Sequence, residues 1–244
     1  MIKQQLARLA LIGVLSVSAT AQAANVGVFG SYGNDYVSSL SALGHTVTDF
    51  GNVSFSASNL AGLDAVLMIR QATGNSDLTA FVNAGGTLIT EWSSSGYGGS
   101  LLGATVTDNY SSYVTSDPVV FTAAGTVLGL GSGLGASYQA GGGTEFFQDF
   151  ASIGSGTILA TRGSSGATAI IGGAVGLGYV FVNGYDWADT TDASTAKLLD
   201  NEIRAVTTAV PEPESYVLAI AGLGVLGMMA RRKKVVAAED AATA

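Results

Sequence analysis

Residues 78–92 read LTAFVNAGGTLITEW and hold a helix pattern that runs directly into a strand pattern. Ser76 can cap this helix, and Gly85-Gly86 marks its end. The predicted buried face of the helix consists of Leu78, Phe81 and Val82. Thr87 to Trp92 (TLITEW) then continues as a strand. A helix that returns the chain to a strand within two residues is typical of an α/β fold.

The same alternation is found upstream of this stretch. Asn25 to Phe29 and His45 to Phe50 have strand patterns, and Asp64 to Ile69 is a continuous apolar run of the kind buried on both faces of a parallel sheet. A helix is predicted over Asn34 to Leu43, with Asn34 as its N-cap and Gly44 as its stop. Strands separated by helices predict right-handed crossovers and an open, mainly parallel sheet.

Downstream, residues 93–155 are rich in Gly, Ser and Thr and predict an irregular insertion, with short strands near Val106 to Val120 and a loop over Gly125 to Gly143. The regular pattern then resumes. Strands are predicted over residues 157–161, 168–171 and 179–183, the last two forming a hairpin. A final helix over Asp192 to Val206 turns Leu198, Leu199, Ile203 and Val206 inward.

Residues 78–92, the run GLGYVFVNGYDW at 176–187, and the closing helix with Leu198, Leu199 and Asn201 resemble the class I glutamine amidotransferase-like superfamily, including its ThuA-like relatives. The resemblance covers about half of the domain. It implies a flavodoxin-like α/β architecture, in which an open, mainly parallel sheet carries helices on its flanks.

Members of that superfamily that are amidotransferases carry a Cys nucleophile on the turn after the central strand. The corresponding turn here reads Ser93-Ser94-Ser95-Gly96, and the chain has no cysteine. The only histidine, His45, comes too early for the usual base, and the serines do not match a Gly-x-Ser-x-Gly elbow. The sequence therefore predicts a domain that is not an enzyme and that uses no cofactor.

Composition limits the partners of the domain. Residues 24–208 contain four cations against fourteen acids, a net charge of −10, which excludes nucleic acid because such binding depends on Lys and Arg at the phosphates. Without cysteine, the domain must be held together by packing rather than by disulfides.

Aromatic residues are predicted at the carboxyl ends of the strands, the edge at which open α/β sheets bind ligands. Trp92, Tyr185 and Trp187 are the candidates there, with faces that could stack on the sugar rings of an exopolysaccharide. The alternative is that these residues simply pack beneath the insertion.

Two further groups of residues allow a ligand-binding and a structural interpretation. Asp186, Asp189 and Asp192 could offer oxygen ligands to Ca²⁺, but an acid at this point ordinarily caps the last helix. Gly30 to Gly33 (GSYG) could meet a phosphate, but Asp35 would repel it, so a tight turn is favoured. We therefore predict no metal site.

Two rival classes of protein remain open. One is a hydrolase of surface glycans that uses Glu91 and Asp186 as its acid and base. The other is a β-sandwich adhesin, in which the segments 34–43 and 76–84 would be loops rather than helices.

The last tenth of the chain predicts how the protein is delivered. Tyr216 to Ala230 is uncharged over fifteen residues, about 22 Å of helix against a hydrocarbon core of roughly 30 Å, and is therefore a short candidate transmembrane helix. Arg231, Arg232, Lys233 and Lys234 should stay in the cytoplasm. Before the helix, Pro211, Glu212 and Pro213 leave an extended, solvated backbone.

This order of parts resembles the PEP-CTERM sorting signal of Gram-negative bacteria. The resemblance covers Val210 to Lys234, within a sorting region predicted over residues 209–244. The resemblance implies processing by an exosortase, after a membrane-inserted intermediate, and delivery to the cell surface or the extracellular matrix. Residues 235–244 depart from the usual pattern, which ends soon after the basic cluster. The alternative is a plain membrane anchor without processing.

The amino terminus has the three parts of a signal peptide. Met1 to Arg8 is basic, Leu9 to Ala19 is apolar, and Ala21-Gln22-Ala23 fits signal peptidase. Removal of residues 1–23 predicts an exported domain over residues 24–208, so the mature protein should begin near Ala24.

Overall fold

The computed structural model describes residues 23–30, 36–70, 72–107, 113–115, 117–139, 144–188 and 192–207. The chain divides into two units, residues 1–207 and 208–244, and all described residues belong to the first. Ala21, the sorting motif Pro211 to Pro213, the apolar segment 216–230 and the basic cluster 231–234 lie outside the described residues. None of the helices within the described ranges is long and apolar enough to cross a bilayer.

The domain is built on one nine-stranded sheet in the order β2-β1-β3-β4-β13-β12-β11-β7-β8. Pairing is parallel from β2 through β13 and antiparallel from β13 through β8. The open α/β sheet is therefore confirmed, and it is mixed. Its strands are β1 (Asn25–Phe29), β2 (Thr46–Gly51), β3 (Ala65–Met68), β4 (Thr87–Thr90), β7 (Val119–Phe121), β8 (Ser137–Tyr138), β11 (Thr157–Arg162), β12 (Thr168–Val175) and β13 (Gly178–Asn183). Two small ribbons lie apart from it, formed by β5 (Thr105–Thr107) with β10 (Asp149–Ser152) and by β6 (Tyr113–Thr115) with β9 (Thr144–Phe146).

Helices cover both faces of the sheet. On one face, Leu40 of α1 (Tyr36–Ala42) and Leu198 of α6 (Ala193–Thr207) join a core with Val26, Leu67 and Phe181. On the other, α2 (Ala57–Leu60), α3 (Ser76–Asn83) and α4 (Ser95–Leu101) cover a second core that includes Val66, Leu88 and Val182. Successive residues of β3, and Leu88 and Ile89 of β4, thus enter opposite cores, which explains why β3 is apolar throughout and why all four residues of β4 are buried. A short helix, α5 (Ala123–Val127), packs against β11.

Glycines end the two helices where the sequence predicts. After α3, the Gly86 amide donates to the Phe81 carbonyl at 3.0 Å while Gly85 has φ +119°, the arrangement of a Schellman motif. Gly44 ends α1 in the same way, with φ +99°. The predicted cap of α3 is wrong by one residue, because the Asn75 side chain rather than Ser76 accepts the amides of Asp77 and Leu78.

The glycine-rich segment 93–155 contains more regular structure than its composition predicts. It contributes β7 and β8 to the main sheet and begins with α4, although SGYGGSL is a poor helix sequence. A Cβ at Gly98 would come within 2.8 Å of Thr90 Oγ1, and one at Gly99 within 2.8 Å of Val106 Cγ2. These glycines therefore allow close packing of a helix on the strands.

The last helix returns the chain to the edge of the sheet at which the parallel strands begin, which we call the amino edge. In its last two turns, Asp200 binds His45, just before β2, and Arg204 Nη2 donates to the Leu43 carbonyl at 2.9 Å. The β-sandwich alternative is wrong, because residues 36–42 and 76–83 are helical and pack on a single sheet.

Candidate functional site

The carboxyl ends of β3, β4 and β13 meet at the opposite, carboxyl edge of the sheet, because these strands are parallel neighbours. Arg70 follows β3, Glu91 to Ser93 follow β4, and Asp186 follows β13. We call Arg70, Glu91, Trp92, Ser93 and Asp186 the edge site. The sheet topology, rather than any motif, brings these residues together.

An ion pair forms the inner part of the edge site. Arg70 Nη2 donates to Asp186 Oδ2, the Asp186 side chain is fully buried, and that of Arg70 is 16% exposed. The Arg70 guanidinium also lies over the Trp92 ring, 4.9 Å from its centroid. The ion pair and the cation–π contact hold this arginine in place.

The Glu91 carboxyl group is buried more deeply than is usual for an acidic side chain. It is fully buried, and burial raises its pKa to about 8, with a further rise from the charge of Asp186. The Ser93 hydroxyl, which donates to Glu91 Oε1 at 2.6 Å, and the Arg70 charge act in the opposite direction. Glu91 Oε2 has no hydrogen-bond partner among the described residues. At neutral pH this carboxyl group is therefore largely protonated.

The three serines after β4 have different roles. Ser94 Oγ donates to the Met68 carbonyl at 2.6 Å, and Ser95 Oγ donates to the Trp92 carbonyl at 2.7 Å. Both residues are buried and fix the turn that leads into α4. Ser93 is exposed and bonds to a side chain, so it is the serine of this turn that both faces solvent and touches a titratable group.

The structure separates the three candidate aromatic residues. Trp92 is half-buried at the edge, whereas Tyr185 and Trp187 are 0% exposed. The Trp187 ring meets the Tyr36 ring edge-on at 5.4 Å, and the Tyr36 hydroxyl donates to the Trp187 carbonyl at 2.7 Å. Ligand stacking is therefore wrong for Tyr185 and Trp187 in this conformation, because other core side chains cover their rings. Trp92 alone of the three offers a surface.

The structure also tests some of the residues that were considered for metal binding or catalysis. Asp192 caps α6, its Oδ1 accepting the amides of Ser194 and Thr195 at 2.9 Å, which confirms the capping interpretation for that residue. Asp189 and residues 31–35 lie outside the described residues. Within the described ranges, no group of three or more His, Asp or Glu side chains is placed to hold a metal ion. His45 lies at the amino edge, bonded to Asp200, and so takes no part in the edge site.

A second arginine–aspartate pair lines a cleft of about 560 Å³ further along the carboxyl edge, which we call the Arg162 cleft. Arg162 Nη2 donates to Asp149 Oδ1, and the guanidinium lies 4.9 Å from the Phe147 ring centroid. Phe150, Ser165 and Thr168 complete the walls. The volume falls within the range of small-molecule sites.

Local sequence patterns did not predict the two arginine–aspartate pairs at the carboxyl edge, although the excess of acids over cations favours such pairs. Each of the four cations between residues 24 and 208 is bonded to an aspartate. In a domain with a net charge of −10, every arginine has many possible acidic partners. Which acid it meets depends on strand order, which the local pattern does not contain.

The carboxyl-terminal residues match a family model. Residues 209–234 fit the PEP-CTERM protein-sorting motif, which confirms the resemblance seen in the sequence. The motif implies processing by an exosortase and export to the cell surface. A comparison with curated proteins gave no match.

Solved structures share the fold of the domain. The cytoplasmic protein STM3548 from Salmonella typhimurium has 10% identity and a TM-score of 0.54, over 75% of this chain and 98% of its own. A protein described as ThuA-like from Bacteroides uniformis has 10% identity and a TM-score of 0.51, over 78% and 94%. A β-galactosidase from Rahnella sp. R3 has 17% identity and a TM-score of 0.50, over 84% of this chain but 35% of its own. At these identities the likeness shows the fold alone, and that fold agrees with the amidotransferase-like architecture expected from the sequence.

Proposed function

We propose that this chain is a non-catalytic cargo protein, exported through a cleaved signal peptide and sorted by an exosortase to the cell surface or the exopolysaccharide matrix. The observation that carries the proposal is the sorting motif at residues 209–234, directly after the last helix of the domain. On this proposal the uncharged segment 216–230 inserts in the inner membrane, and the basic cluster 231–234 holds it there until processing.

The experiment is intact-mass analysis of the protein in host cells with and without the exosortase. We expect the product from the cell exterior to lack residues beyond the Pro-Glu-Pro region, and the strain without exosortase to retain them in the membrane fraction. A surface product that keeps residues 216–234 in both strains would contradict the proposal.

The edge site supports the non-catalytic role. The acids named for glycan hydrolysis, Glu91 and Asp186, are both 0% exposed, and Asp186 is committed to Arg70. A glycosidase needs two carboxyl groups that reach the sugar from opposite sides. The pair is brought together at one edge, but in a buried position that suits packing better than catalysis.

Binding to a matrix saccharide is the role that the exposed part of the carboxyl edge supports. The half-buried Trp92 offers a ring, and the Arg162 cleft offers paired donors and acceptors beside Phe150. Trp92→Phe should weaken binding of the host's own exopolysaccharide, followed by tryptophan fluorescence and by retention on the immobilised polymer. The control is Trp187→Phe, whose ring is buried. Equal binding by wild type and both variants would exclude Trp92 from the site.

A second function is favoured by one bond, from the exposed Ser93 hydroxyl to Glu91 at 2.6 Å. Above its pKa of about 8, the buried Glu91 carboxylate could accept the serine proton as the oxygen attacks an ester or amide carbonyl. This hydrolase hypothesis predicts turnover of small activated esters that is lost in Ser93→Ala and in Glu91→Gln but kept in Ser95→Ala. The absence of turnover in the wild type would exclude it.

A further inference from the structure

Ala24 is the first buried residue of the domain. Its neighbour Ala23 is exposed, whereas Ala24 is 3% exposed. The Ala24 backbone N–H donates to His45 Nδ1 at 3.1 Å, and its carbonyl accepts the Thr46 amide at 2.9 Å. The residue that follows the predicted signal-peptidase bond is therefore fixed on both its amino and its carbonyl side.

The imidazole of His45 is itself held in one orientation. His45 Nε2 lies 2.8 Å from Asp200 Oδ1, which must accept its hydrogen, so that Nδ1 is the unprotonated, accepting nitrogen. Asp200 is held in turn by Lys197 Nζ at 2.7 Å and Arg204 Nε at 2.5 Å. The result is a buried acceptor that points at one backbone nitrogen.

We propose that His45, oriented by Asp200, is a binding site for the α-amino group that signal-peptide cleavage creates on Ala24. We call Ala24, His45 and Asp200 the amino-terminal clasp. The inference rests on the cleaved-signal part of the proposed function. It adds to that function by assigning His45 and Asp200, which the edge site does not use, to the mature amino terminus.

The chemistry of cleavage is compatible with the geometry. Hydrolysis places the hydroxyl of water on the Ala23 carbonyl carbon and a hydrogen on the Ala24 nitrogen. The amide donor thereby becomes an amine, which retains a hydrogen for Nδ1 whether or not it is protonated. The bond to His45 can therefore survive processing without movement of β1.

The clasp has two consequences. The Ala23–Ala24 bond is out of reach of a protease once β1 has paired with β2, so that cleavage precedes folding. The mature amine is then covered, which protects the chain against aminopeptidases. In both respects the clasp buries the amino terminus that cleavage creates.

The test uses the mature protein recovered from the host exterior. Its first residue is identified by mass spectrometry, and the rate of acylation of its α-amine by an amine-reactive ester is measured at neutral pH. We expect Ala24 as the first residue and a rate about tenfold below that of the denatured chain, because the reagent reaches the amine only when the strand end opens.

One insertion and two substitutions make the test specific. A glycine inserted between Ala23 and Ala24 moves the amine by ~3.4 Å and restores an amide at Ala24, so the folded protein should react at the rate of the denatured chain. His45→Ala should raise the rate in the same direction, and Asp200→Asn replaces it if that variant does not fold. Equal rates for the native and glycine-inserted proteins, or a first residue other than Ala24, would overturn the proposal. Failure of the proposed sorting would be distinguished from failure of the clasp proposal, because sorting is measured from the mass of the carboxyl-terminal end.

Discussion

Two glutamates in this domain have the same depth and the same shifted acidity but different neighbours. Glu91 and Glu202 are both 0% exposed, and burial is the main cause that raises the pKa of each to about 8. Glu202 lies on the core face of α6 and accepts the Asn183 side-chain amide at 3.3 Å. Glu91 contacts the exposed Ser93 and feels the charges of Asp186 and Arg70. A raised pKa alone therefore does not identify a functional group, whereas contact with an exposed polar residue separates the two.

The largest effect is expected from Asp186→Asn. It removes the Asp186 charge that faces the largely buried Arg70 guanidinium, so we expect a loss of about 3–5 kcal/mol in the free energy of unfolding, measured with urea. It should also lower the pKa of Glu91 and leave that of Glu202 unchanged. The comparison is Asp149→Asn, at the pair with Arg162. The Arg162 side chain is 9% exposed, but Asp149 is 40% exposed, so water can partly replace the lost carboxylate and the loss should be smaller. Equal losses would mean that burial does not distinguish these pairs.

The next effect is the pH dependence of stability. Both glutamates bind a proton more tightly when folded, so their contribution is complete below pH 4.5 and is lost as the pH rises through about 8. Glu202→Gln keeps the amide contact without the titration, and should be more stable than wild type at pH 9 by about 2–4 kcal/mol. Urea unfolding across pH 4–9 tests this. A variant with an unchanged pH profile would show that Glu202 is not protonated in the fold.

At acidic pH, the free energy of unfolding should change with pH in the opposite direction. Burial raises the pKa of Asp200, but hydrogen bonds from His45, Lys197 and Arg204 outweigh it and hold that pKa below its usual range. Its contribution is therefore present above pH 3.8 and is lost as the pH falls below that value. Stability should be highest near about pH 4–5, between these two ranges of pH. Asp200→Asn should remove the loss of stability at acidic pH and leave unchanged the loss of stability that the two glutamates cause at alkaline pH.

A smaller effect should come from the helix beside Glu91. Gly98→Ala places a Cβ within 2.8 Å of Thr90 Oγ1, one residue before Glu91, and should cost about 1–3 kcal/mol. Gly96→Ala is the matched control on the same helix, since nothing lies within 4 Å of its Cβ, and it should stabilise by about 0.5–1 kcal/mol. Thermal unfolding gives both values. A destabilising Gly96→Ala would mean that the glycines of α4 are needed for conformation and not for space.

The smallest effect is expected from Ser93→Ala. Removing one hydrogen bond at an exposed residue should cost about 0.5–1 kcal/mol. The loss of a bond that favours the charged form should raise the pKa of Glu91 further and leave Glu202 as before. Carbon-13 NMR of the two side-chain carboxyls measures this, with Ser95→Ala as control. A shift in Glu202 would mean that the two sites are coupled through the sheet.

Local sequence patterns were sufficient for most of the parallel half of the sheet. Gly44 and Gly85 have positive φ angles, so composition and conformation agree there, and the predicted helix ends are correct. The same residue type misled in α4, because Gly98 supplies space for packing, a property set by β4 and β13 rather than by its neighbours in sequence. A glycine can supply a positive φ angle or space for close packing. A single sequence distinguishes these two roles only where the glycine stands next to a strong helix pattern.

The site was predictable in position but not in detail. Parallel strands correctly placed Trp92, Glu91 and Asp186 at the carboxyl edge. Their exposure was not predictable, since Tyr185 and Trp187 are covered by α1, by Phe147 and by Tyr138, which come from distant parts of the chain. Burial depends on tertiary packing, so the sequence pattern does not show that two of these three aromatic residues are covered.

The return of α6 to the amino edge places both ends of the domain at one pole. Ala24 and the last turn of α6 lie there, whereas the edge site and the Arg162 cleft lie at the other pole. The residues at which the domain begins and ends therefore lie away from the edge site and the Arg162 cleft. Changes at the first or last residues of the domain should for this reason leave the geometry of the carboxyl edge intact.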